Sequence, residues 1–361
     1  DYYLGALRGG VDDYYAWQMV ENGTAQLETT YVTTKLTDAS IDWIADQDQP
    51  WFLWLAHMAP HSPYHVPPAD LFTITSTNSN LQKYIAMIEA MDHELNRLFL
   101  SMSEEEKANT VVIYIGDNGT PNNILQDYPD GHGKSSLYQG GIRVPMIVSG
   151  AGVSRAGERE SALVNIVDIH ATILDIAGAN LPGGIYNSLS FKHLLNGENG
   201  PKRDYNYVET TRQGLDGWTI RNSQYKLINW EGTGQEMYDL LIDSFEVNNL
   251  LAGTLTTEQI MVKADLEAEA NRIQTDWSCR DFIQNGTETG IDCGTTDCGG
   301  CGPTGIEEVT VSDLISAFPN PTNGFLKVSA AGELIESVAI YNATGQLLSH
   351  HGGNLTEEMT L

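Results

Sequence analysis

Three loop segments of the sequence carry side chains that could act on an anionic substrate. The run VVIYIGDNGT ends an apolar stretch with Asp117 and Asn118, two oxygen donors of the kind that hard cations prefer. The segment HMAPHSPYHVPP holds His61 between two prolines, which stiffen a loop. The segment HGKSSLYQGG contains Lys134, a compact positive charge that could meet an anion. Together these residue types would suit a tetrahedral oxyanion ester, whose charge a metal and two hydrogen-bond donors would neutralise.

Each segment also has a simpler interpretation. Asn-Gly is a strong hairpin signal because both residues tolerate positive φ, and taken alone VVIYIGDNGT favours a turn. Lys134 taken singly would be a solvated surface lysine. His57 and His65 are interpreted as ordinary loop histidines, which leaves His61 as the candidate for function in its segment.

The elements around these loops predict what could bring them together. Apolar residues at helical spacing predict helices over 31–46 and 81–102, and a later helix closed by Gly178. Continuous apolar runs predict strands at 50–60, 110–117 and 144–153. Strands that alternate with helices indicate an α/β fold, with a mostly parallel sheet flanked by helices. In such sheets ligands bind beyond the carboxyl ends of the strands, where the three loops would lie.

Changes in composition and in the pattern of apolar residues divide the chain into four regions. Residues 1–184 form the predicted α/β core, and 185–277 a smaller α+β subdomain with antiparallel strands and a Thr-capped helix. Residues 278–305 form a Cys-rich module. Residues 306–361 carry short strands and turns that predict a partial β-sandwich.

Charge and hydropathy exclude several classes of protein. The chain of 361 residues has 19 basic and 48 acidic residues, a formal net charge of −29. This balance argues against nucleic acid and anionic membrane surfaces as partners. No apolar run reaches the roughly 18 residues of a membrane helix, and no signal peptide is visible. The chain begins at Asp1 in the middle of a pattern, so we expect it to lack its natural start.

All four cysteines fall in one short stretch, at Cys279, Cys293, Cys298 and Cys301. The C-x4-C-x2-C spacing could hold zinc. The absence of a nearby histidine and the acidic, Gly-rich surroundings favour two disulfides instead. Three pairings of the four cysteines stay open.

Six blocks, in the same order along residues 1 to about 252, resemble the formylglycine-dependent sulfatases of the alkaline-phosphatase superfamily. They are PWFLWLAHMAPHSPYHVP, YIAMIEAMDHELNRLF, VVIYIGDNG, HGKSSLYQGGIRVPMIV, VNIVDIHATILDIAG and QEMYDLLIDSFEVNNL. The resemblance implies an alkaline-phosphatase-like fold and the hydrolysis of sulfate esters.

The resemblance also implies roles for single residues. Asp117 and Asn118 match the second pair of ligands of a catalytic Ca²⁺, with Mg²⁺ as the less favoured ion. Lys134 matches the lysine that binds the substrate sulfate, and His61 the histidine that contacts the sulfate or the leaving-group oxygen. His132 has no secure counterpart and is a lesser candidate.

One part of the family pattern is missing from the sequence. The family makes its formylglycine nucleophile from Cys or Ser in a C/S-x-P/A-x-R motif. The sequence Cys301-Gly-Pro-Thr-Gly begins in this way, but it has Gly where Arg is required and lies in the Cys-rich module. We therefore expect the nucleophile and the other metal ligands upstream of Asp1, and the chain alone to be inactive.

The C-terminal segment has a resemblance of its own. FPNPTNG followed by VAIYNATGQ resembles the start of the C-terminal sorting domain of the type IX secretion system, found in Bacteroidetes. This implies a secreted or surface-anchored protein that meets the type IX machinery. The alternative is an ordinary β-module with a binding role.

Three functions follow from these observations. The first is a sulfatase that acts on sulfated carbohydrate or aryl sulfates. The second is a phosphodiesterase or phosphonate hydrolase on the same scaffold, and the third is a non-catalytic sulfated-glycan binding protein.

Overall fold

The fold was analysed on a computed structural model. It describes residues 1–7, 10–179, 187–211 and 216–278, together with the strand segments 315–318, 327–330, 335–341, 347–356 and 358–360. The chain divides into two compact units, residues 1–270 and 271–361.

The first unit opens with a small antiparallel sheet. Its strands are β1 (Leu4–Gly5), β2 (Trp17–Glu21) and β3 (Thr24–Glu28). Asn22 and Gly23 join β2 to β3, with φ of 46° and 86°. Two central residues with positive φ define the tight hairpin turn for which Asn-Gly is suited.

Two long helices pack on each other behind this sheet. They are α1 (Val32–Ala45) and α2 (Asn80–Ser101), and they confirm the helices predicted from apolar spacing. A capping box on Ser79 starts α2, since its hydroxyl accepts a hydrogen bond from the backbone of Gln82. The short helix α3 (Glu104–Ala108) follows.

The main apolar core lies between these helices and the chain that follows α1. It contains Tyr14, Trp17, Met19, Tyr31, Val32, Leu36, Ala59, Leu71, Met87, Ala90 and Met91. Leu55 and Met58 pack against it, so the core anchors one side of the apolar run at 51–58.

The central strands differ from the sequence-based prediction. The strands β4 (Val111–Ile115) and β5 (Met146–Gly150) pair with each other in antiparallel register. Every described strand pair is antiparallel, so the mostly parallel sheet is wrong for the described strands. The run at 51–58 is not a strand, and its alternate residues Phe52 and Trp54 face solvent. An apolar run predicts burial, but the pairing of strands depends on contacts far apart in sequence.

The helix α5 (Asp168–Ile176) follows β5. It ends as predicted at Gly178, which has a φ of 67° and donates its N–H to the carbonyl of Asp175. A glycine in this conformation ends a helix without a steric penalty from Cβ.

A four-stranded antiparallel sheet forms the rest of the first unit. Its strands, in spatial order, are β6 (Asn206–Thr210), β7 (Gly217–Arg221), β8 (Tyr225–Trp230) and β9 (Gly234–Asp239). The helix α6 (Thr257–Ser278) follows, and the side chain of Thr256 accepts a hydrogen bond from the backbone of Gln259. The predicted antiparallel strands and Thr-capped helix are therefore present.

The described residues of the second unit include five strands of three to ten residues. One sheet has the order β10 (Ile315–Phe318), β11 (Lys327–Ala330), β14 (Glu358–Thr360), and a pair joins β12 (Ile335–Tyr341) to β13 (Leu347–Thr356). The predicted Cys-rich module, with Cys279, Cys293, Cys298 and Cys301, lies outside the described residues.

Candidate functional site

The candidate site residues lie mainly on an excursion of the chain from Gly116 to Pro145. This excursion leaves the end of β4 and returns at the start of β5, and the N–H of Gly116 donates to the carbonyl of Pro145 at its base (3.1 Å). Since β4 and β5 are joined only through this whole excursion, Asn118 and Gly119 do not form a hairpin turn. Long excursions of this kind in compact domains commonly carry function.

Gly119 packs directly on the short helix α4 (Gln139–Ile142). Its N–H donates to the carbonyl of Gly141 (2.9 Å). A Cβ on Gly119 would lie 1.9 Å from the carbonyl oxygen of Gly140. The sequence needs glycine here because two backbone segments approach too closely for a side chain.

Lys134 is held against the segment that carries Asp117 and Asn118. The N–H of Lys134 donates to the carbonyl of Thr120 (2.7 Å), and the N–H of Gly133 donates to Oδ1 of Asn122 (3.0 Å). The half-buried Lys134 makes no ion pair within the described residues. Two of the three predicted loops are therefore in contact through their backbones.

The loop of His61 reaches the same region through tyrosines. The buried hydroxyl of Tyr14 lies 2.8 Å from the carbonyl oxygens of both Met58 and His61, and this fixes the loop on the core. Tyr64 then contacts the excursion, with its hydroxyl 3.4 Å from Oδ1 of Asn123. The His61 ring is exposed, and Nδ1 lies 2.8 Å from the carbonyl oxygen of Ser62.

Tyr84 on α2 completes this link. Its ring meets that of Tyr64 edge to face at 6.1 Å, and its hydroxyl lies near Thr120. Burial raises the pKa of the Tyr84 hydroxyl, and the nearby charge of Asp117 adds to this. Asp117 itself is exposed and Asn118 is half-buried.

The other histidines have different surroundings. His57 is not an ordinary loop histidine, because its ring nitrogens are buried and find no hydrogen-bond partner among the described residues, and burial lowers its pKa to about 4. His65 hydrogen-bonds the hydroxyl of Tyr31 through Nε2 (3.0 Å) and has a pKa lowered by burial. His132 stacks on Tyr138 with ring centroids 3.5 Å apart, and burial lowers its pKa too.

A buried ion pair between β8 and the segment that follows β9 supports the excursion. Lys226 donates to Oε1 of Glu246 (2.5 Å), and both side chains are fully buried. The other oxygen of Glu246 accepts the N–H of Gln139, the first residue of α4 (2.5 Å). Burial lowers the pKa of Lys226. Through this pair the sheet fixes the helix on which Gly119 rests.

A cleft opens beside Lys134, between the excursion and the turn from β8 to β9. Its volume is about 470 Å³. Its lining includes Lys134, Asn122, Tyr138, Asp216, Trp230, Glu231 and Glu236. Sequence reasoning missed the aromatic and acidic members, although the segment NWEGTGQEMY holds three of them, Trp230, Glu231 and Glu236, around one Gly-rich turn.

Comparison with known families accounts for most of the chain. The family model described as Sulfatase matches residues 3–179, and the one described as N-sulphoglucosamine sulphohydrolase, C-terminal, matches residues 131–276. The chain belongs to the sulfatase family.

Curated sulfatases cover the same region at moderate identity. An uncharacterized sulfatase, YdeN, of Escherichia coli is 25% identical over 302 residues, which is 70% of this chain and 53% of that protein. A sulfatase of Formosa agariphila is 27% identical over 295 residues, or 72% of this chain and 52% of that protein. The chain thus spans about half the length of these curated sulfatases.

Solved structures with the same fold include two complexes with sugars. BT4656, in complex with its substrate D-glucosamine-2-N,6-O-disulfate, aligns with a TM-score of 0.63 at 20% identity, over 76% of both chains. Ps i-CgsB, in complex with k-i-k-neocarrahexaose, aligns with a TM-score of 0.62 at 24% identity, over 71% of this chain and 57% of that one. The fold of this sulfatase-family chain is therefore alkaline-phosphatase-like, with α/β content.

The second unit has a separate identity. Residues 316–360 match the secretion system C-terminal sorting domain. This domain indicates type IX secretion to the cell surface or the extracellular space. Among the described helices, none is long and apolar enough to span a membrane.

Two neighbouring side chains after β4 have donor atoms of the kind that bind a hard cation. The exposed carboxylate of Asp117 and the amide of Asn118 are oxygen donors, which suit Ca²⁺. The described residues contain no group of three or more His, Cys, Asp or Glu side chains that could hold an ion. Asp117 and Asn118 thus fit a hard cation by the type of their donor atoms.

Proposed function

We propose that this chain forms the sulfate-binding side of a sulfatase active site that hydrolyses sulfate esters of carbohydrates. In this proposal Lys134 binds the sulfate oxygens, and Asp117 and Asn118 supply two ligands of a Ca²⁺ ion. His61 donates a hydrogen bond to the sulfate or to the leaving-group oxygen. A Ca²⁺ ion at Asp117 and Asn118 would neutralise negative charge on the sulfate group.

One contact carries the proposal. The hydrogen bond from the N–H of Lys134 to the carbonyl of Thr120 joins the lysine loop to the segment of Asp117 and Asn118. In the part of the chain that the structure describes, Lys134 has no ion-pair partner, which is notable at a net charge of −29 because carboxylates outnumber cations and readily pair with them. Such a cation has its charge available for an anionic ligand.

Sulfated carbohydrate is the substrate class that the relatives favour. An N-acetylglucosamine-6-O-sulfatase of Bacteroides thetaiotaomicron is 29% identical over 184 residues, covering 47% of this chain and 32% of that protein. A secreted enzyme with the type IX sorting domain would meet such carbohydrates outside the cell.

The chain itself should bind sulfate esters without turning them over. Its sequence contains no C/S-x-P/A-x-R motif, so it has no residue to become formylglycine. Incubation with 4-nitrophenyl sulfate and Ca²⁺ should release no 4-nitrophenol above the background rate. Sustained release would contradict this part of the proposal.

Binding tests the role of Lys134. In a titration of the full chain with 4-nitrophenyl sulfate, Lys134→Ala should weaken binding at least tenfold, because the variant loses the charge that faces the anion. The matched control is Lys202→Ala, since Lys202 is an exposed lysine away from the excursion, and it should stay within twofold of the parent. Equal affinities of the parent and Lys134→Ala would overturn the proposal.

A further inference from the structure

The cleft beside Lys134 is lined by groups that the sulfate itself would not need. Its lining combines one lysine, two aromatic rings and three carboxylates, in a volume of about 470 Å³. Pockets of this size hold small ligands, and their few polar groups decide which ligand fits.

The aromatic part of the cleft is fixed in place. Tyr138 and Trp230 lie with ring centroids 5.8 Å apart, and His132 stacks on Tyr138. The hydroxyls of Tyr138 and Tyr238 both donate to Oε2 of Glu236, at 2.7 and 2.8 Å. These rings therefore form a preorganised apolar surface of the kind on which a sugar ring can rest.

The carboxylates point to hydrogen-bond donors on the ligand. Oδ1 of Asp216 is shielded from solvent and has no hydrogen-bond partner within the described structure. The carbonyl of Asp216 accepts the N–H of Glu231 (2.9 Å), so these two acidic residues are held beside each other. A buried acceptor without a partner is costly, and a ligand donor would remove that cost.

The charges of the lining are divided unequally. Lys134 supplies one positive charge, whereas Asp216, Glu231 and Glu236 supply three carboxylates. A single sulfate group can bind at the lysine. A second anionic group on the same sugar ring would lie close to these carboxylates, and like charges within one small cleft repel each other.

We propose that this cleft is the sugar subsite, and that it selects a monosulfated sugar whose ring presents donors, above all a free ammonium group. This inference rests on the proposed function. Tyr138 and Trp230 hold the ring, while Asp216 and Glu231 accept hydrogen bonds from the ammonium or hydroxyl groups. An ammonium also gains from the aromatic faces. A second sulfate on that ring is rejected.

The test measures how the full chain discriminates between matched sugars. The probes are glucosamine sulfate, N-acetylglucosamine sulfate and N-sulfoglucosamine sulfate, each as the 6-O- and the 3-O-sulfate, and inorganic sulfate. The parent chain should bind a glucosamine sulfate at least tenfold more tightly than the matching N-sulfo sugar. Equal affinities, or tighter binding of the N-sulfo sugar, would overturn the inference.

Variants assign this selectivity to the acidic residues. Asp216→Asn and Glu231→Gln, combined, should reduce the ratio to threefold or less, because both lose negative charge but keep their shape. They should not weaken the binding of inorganic sulfate, since Lys134 is intact and two neighbouring negative charges are removed. The matched control Glu198→Gln, at an exposed glutamate outside the cleft, should keep the full ratio.

The two proposals fail in different ways. If sulfate binding depends on Lys134 but the double variant keeps the full ratio, the subsite inference is wrong and the proposed function stands. If no sulfate probe binds, both are wrong. A second variant, Trp230→Ala, should weaken the binding of every sugar sulfate at least fivefold and leave the affinity for inorganic sulfate unchanged. Unchanged affinities for the sugar sulfates in this variant would also contradict the subsite.

Discussion

Two of the Asn-Gly pairs in the chain come shortly after a strand, and the structure uses them differently. Asn22 and Gly23 follow β2 and form a tight hairpin turn with positive φ at both residues. Asn118 and Gly119 follow β4 but lead into the long excursion, where Gly119 rests on the backbone of α4. The first pair is shaped by local preference and the second by contacts far away in sequence. The same dipeptide thus marks a turn in one place and the edge of a candidate site in the other.

The largest effect is expected from Glu246→Ala, which would break the contacts that hold α4, the helix on which Gly119 packs. Glu246→Ala leaves Lys226 buried without its partner, and removing one member of a buried ion pair costs about 3–5 kcal/mol of unfolding free energy. Urea unfolding would measure the loss. Binding of 4-nitrophenyl sulfate should weaken as well, because α4 loses the acceptor for Gln139.

The control is Glu198→Ala at an exposed position, where surface substitutions usually change stability by about 0.5 kcal/mol or less. A loss below about 1 kcal/mol for Glu246→Ala would show that the pair does not support the excursion.

The next effect concerns the loop that carries His57 and His61, and it depends on pH. The pKa of His57 is lowered to about 4 by burial, against about 6.5 in the unfolded chain, so between these values the unfolded state binds a proton that the folded state does not. Stability therefore falls as the pH drops through this window, by about 3 kcal/mol in all. His57→Gln should remove this part of the slope.

Unfolding free energies of the parent and His57→Gln, measured from pH 7 to pH 4, give the slope as a difference between the two proteins. His170→Gln, at an exposed histidine, is the comparison variant. Parallel curves for the parent and His57→Gln would contradict the burial of His57.

The two glycines of the Asn-Gly pairs give smaller effects and the sharpest comparison. Gly119→Ala would place its Cβ 1.9 Å from a backbone oxygen, and overpacking of this kind costs about 1–3 kcal/mol. In Gly23→Ala the added Cβ would have no atom within 4 Å, and the only cost to stability is the positive φ of this residue, about 1 kcal/mol.

The binding of 4-nitrophenyl sulfate should distinguish the two glycine variants more clearly than their unfolding free energies do. Gly119→Ala should weaken the binding of 4-nitrophenyl sulfate at least fivefold, because the segment of Asp117 moves away from Lys134. Gly23→Ala should not change it. Similar binding by both variants would remove the distinction between the two pairs.

The same distinction explains which parts of the fold the sequence could predict. The helices α1 and α2 follow from apolar spacing, and the ends of α5 and α6 from Gly178 and Thr256, because these signals act within a few residues. The antiparallel partner of β4 could not be predicted in this way, since β5 follows only after the excursion.

The candidate site shows the same limit. Residue types and family resemblance single out Asp117, Asn118, Lys134 and His61, and the structure brings the loops of the first three together. The acidic and aromatic lining of the cleft was missed because Asp216, Trp230 and Glu236 lie on strands and turns. The sequence pattern of these elements predicts a sheet but not a binding site. Their meeting with Lys134 depends on how the sheet packs on the excursion.

The most direct measurement of the central claim is the coupling between Ca²⁺ and a sulfate ester. Calorimetric titration of the full chain with 4-nitrophenyl sulfate, with and without Ca²⁺, should give at least threefold tighter binding with the ion, because the two ligands would share one site. Asp117→Asn should abolish this coupling, and Lys134→Ala should weaken binding in both conditions. If Ca²⁺ does not change the affinity and neither variant does, Asp117 and Lys134 do not bind one sulfate together.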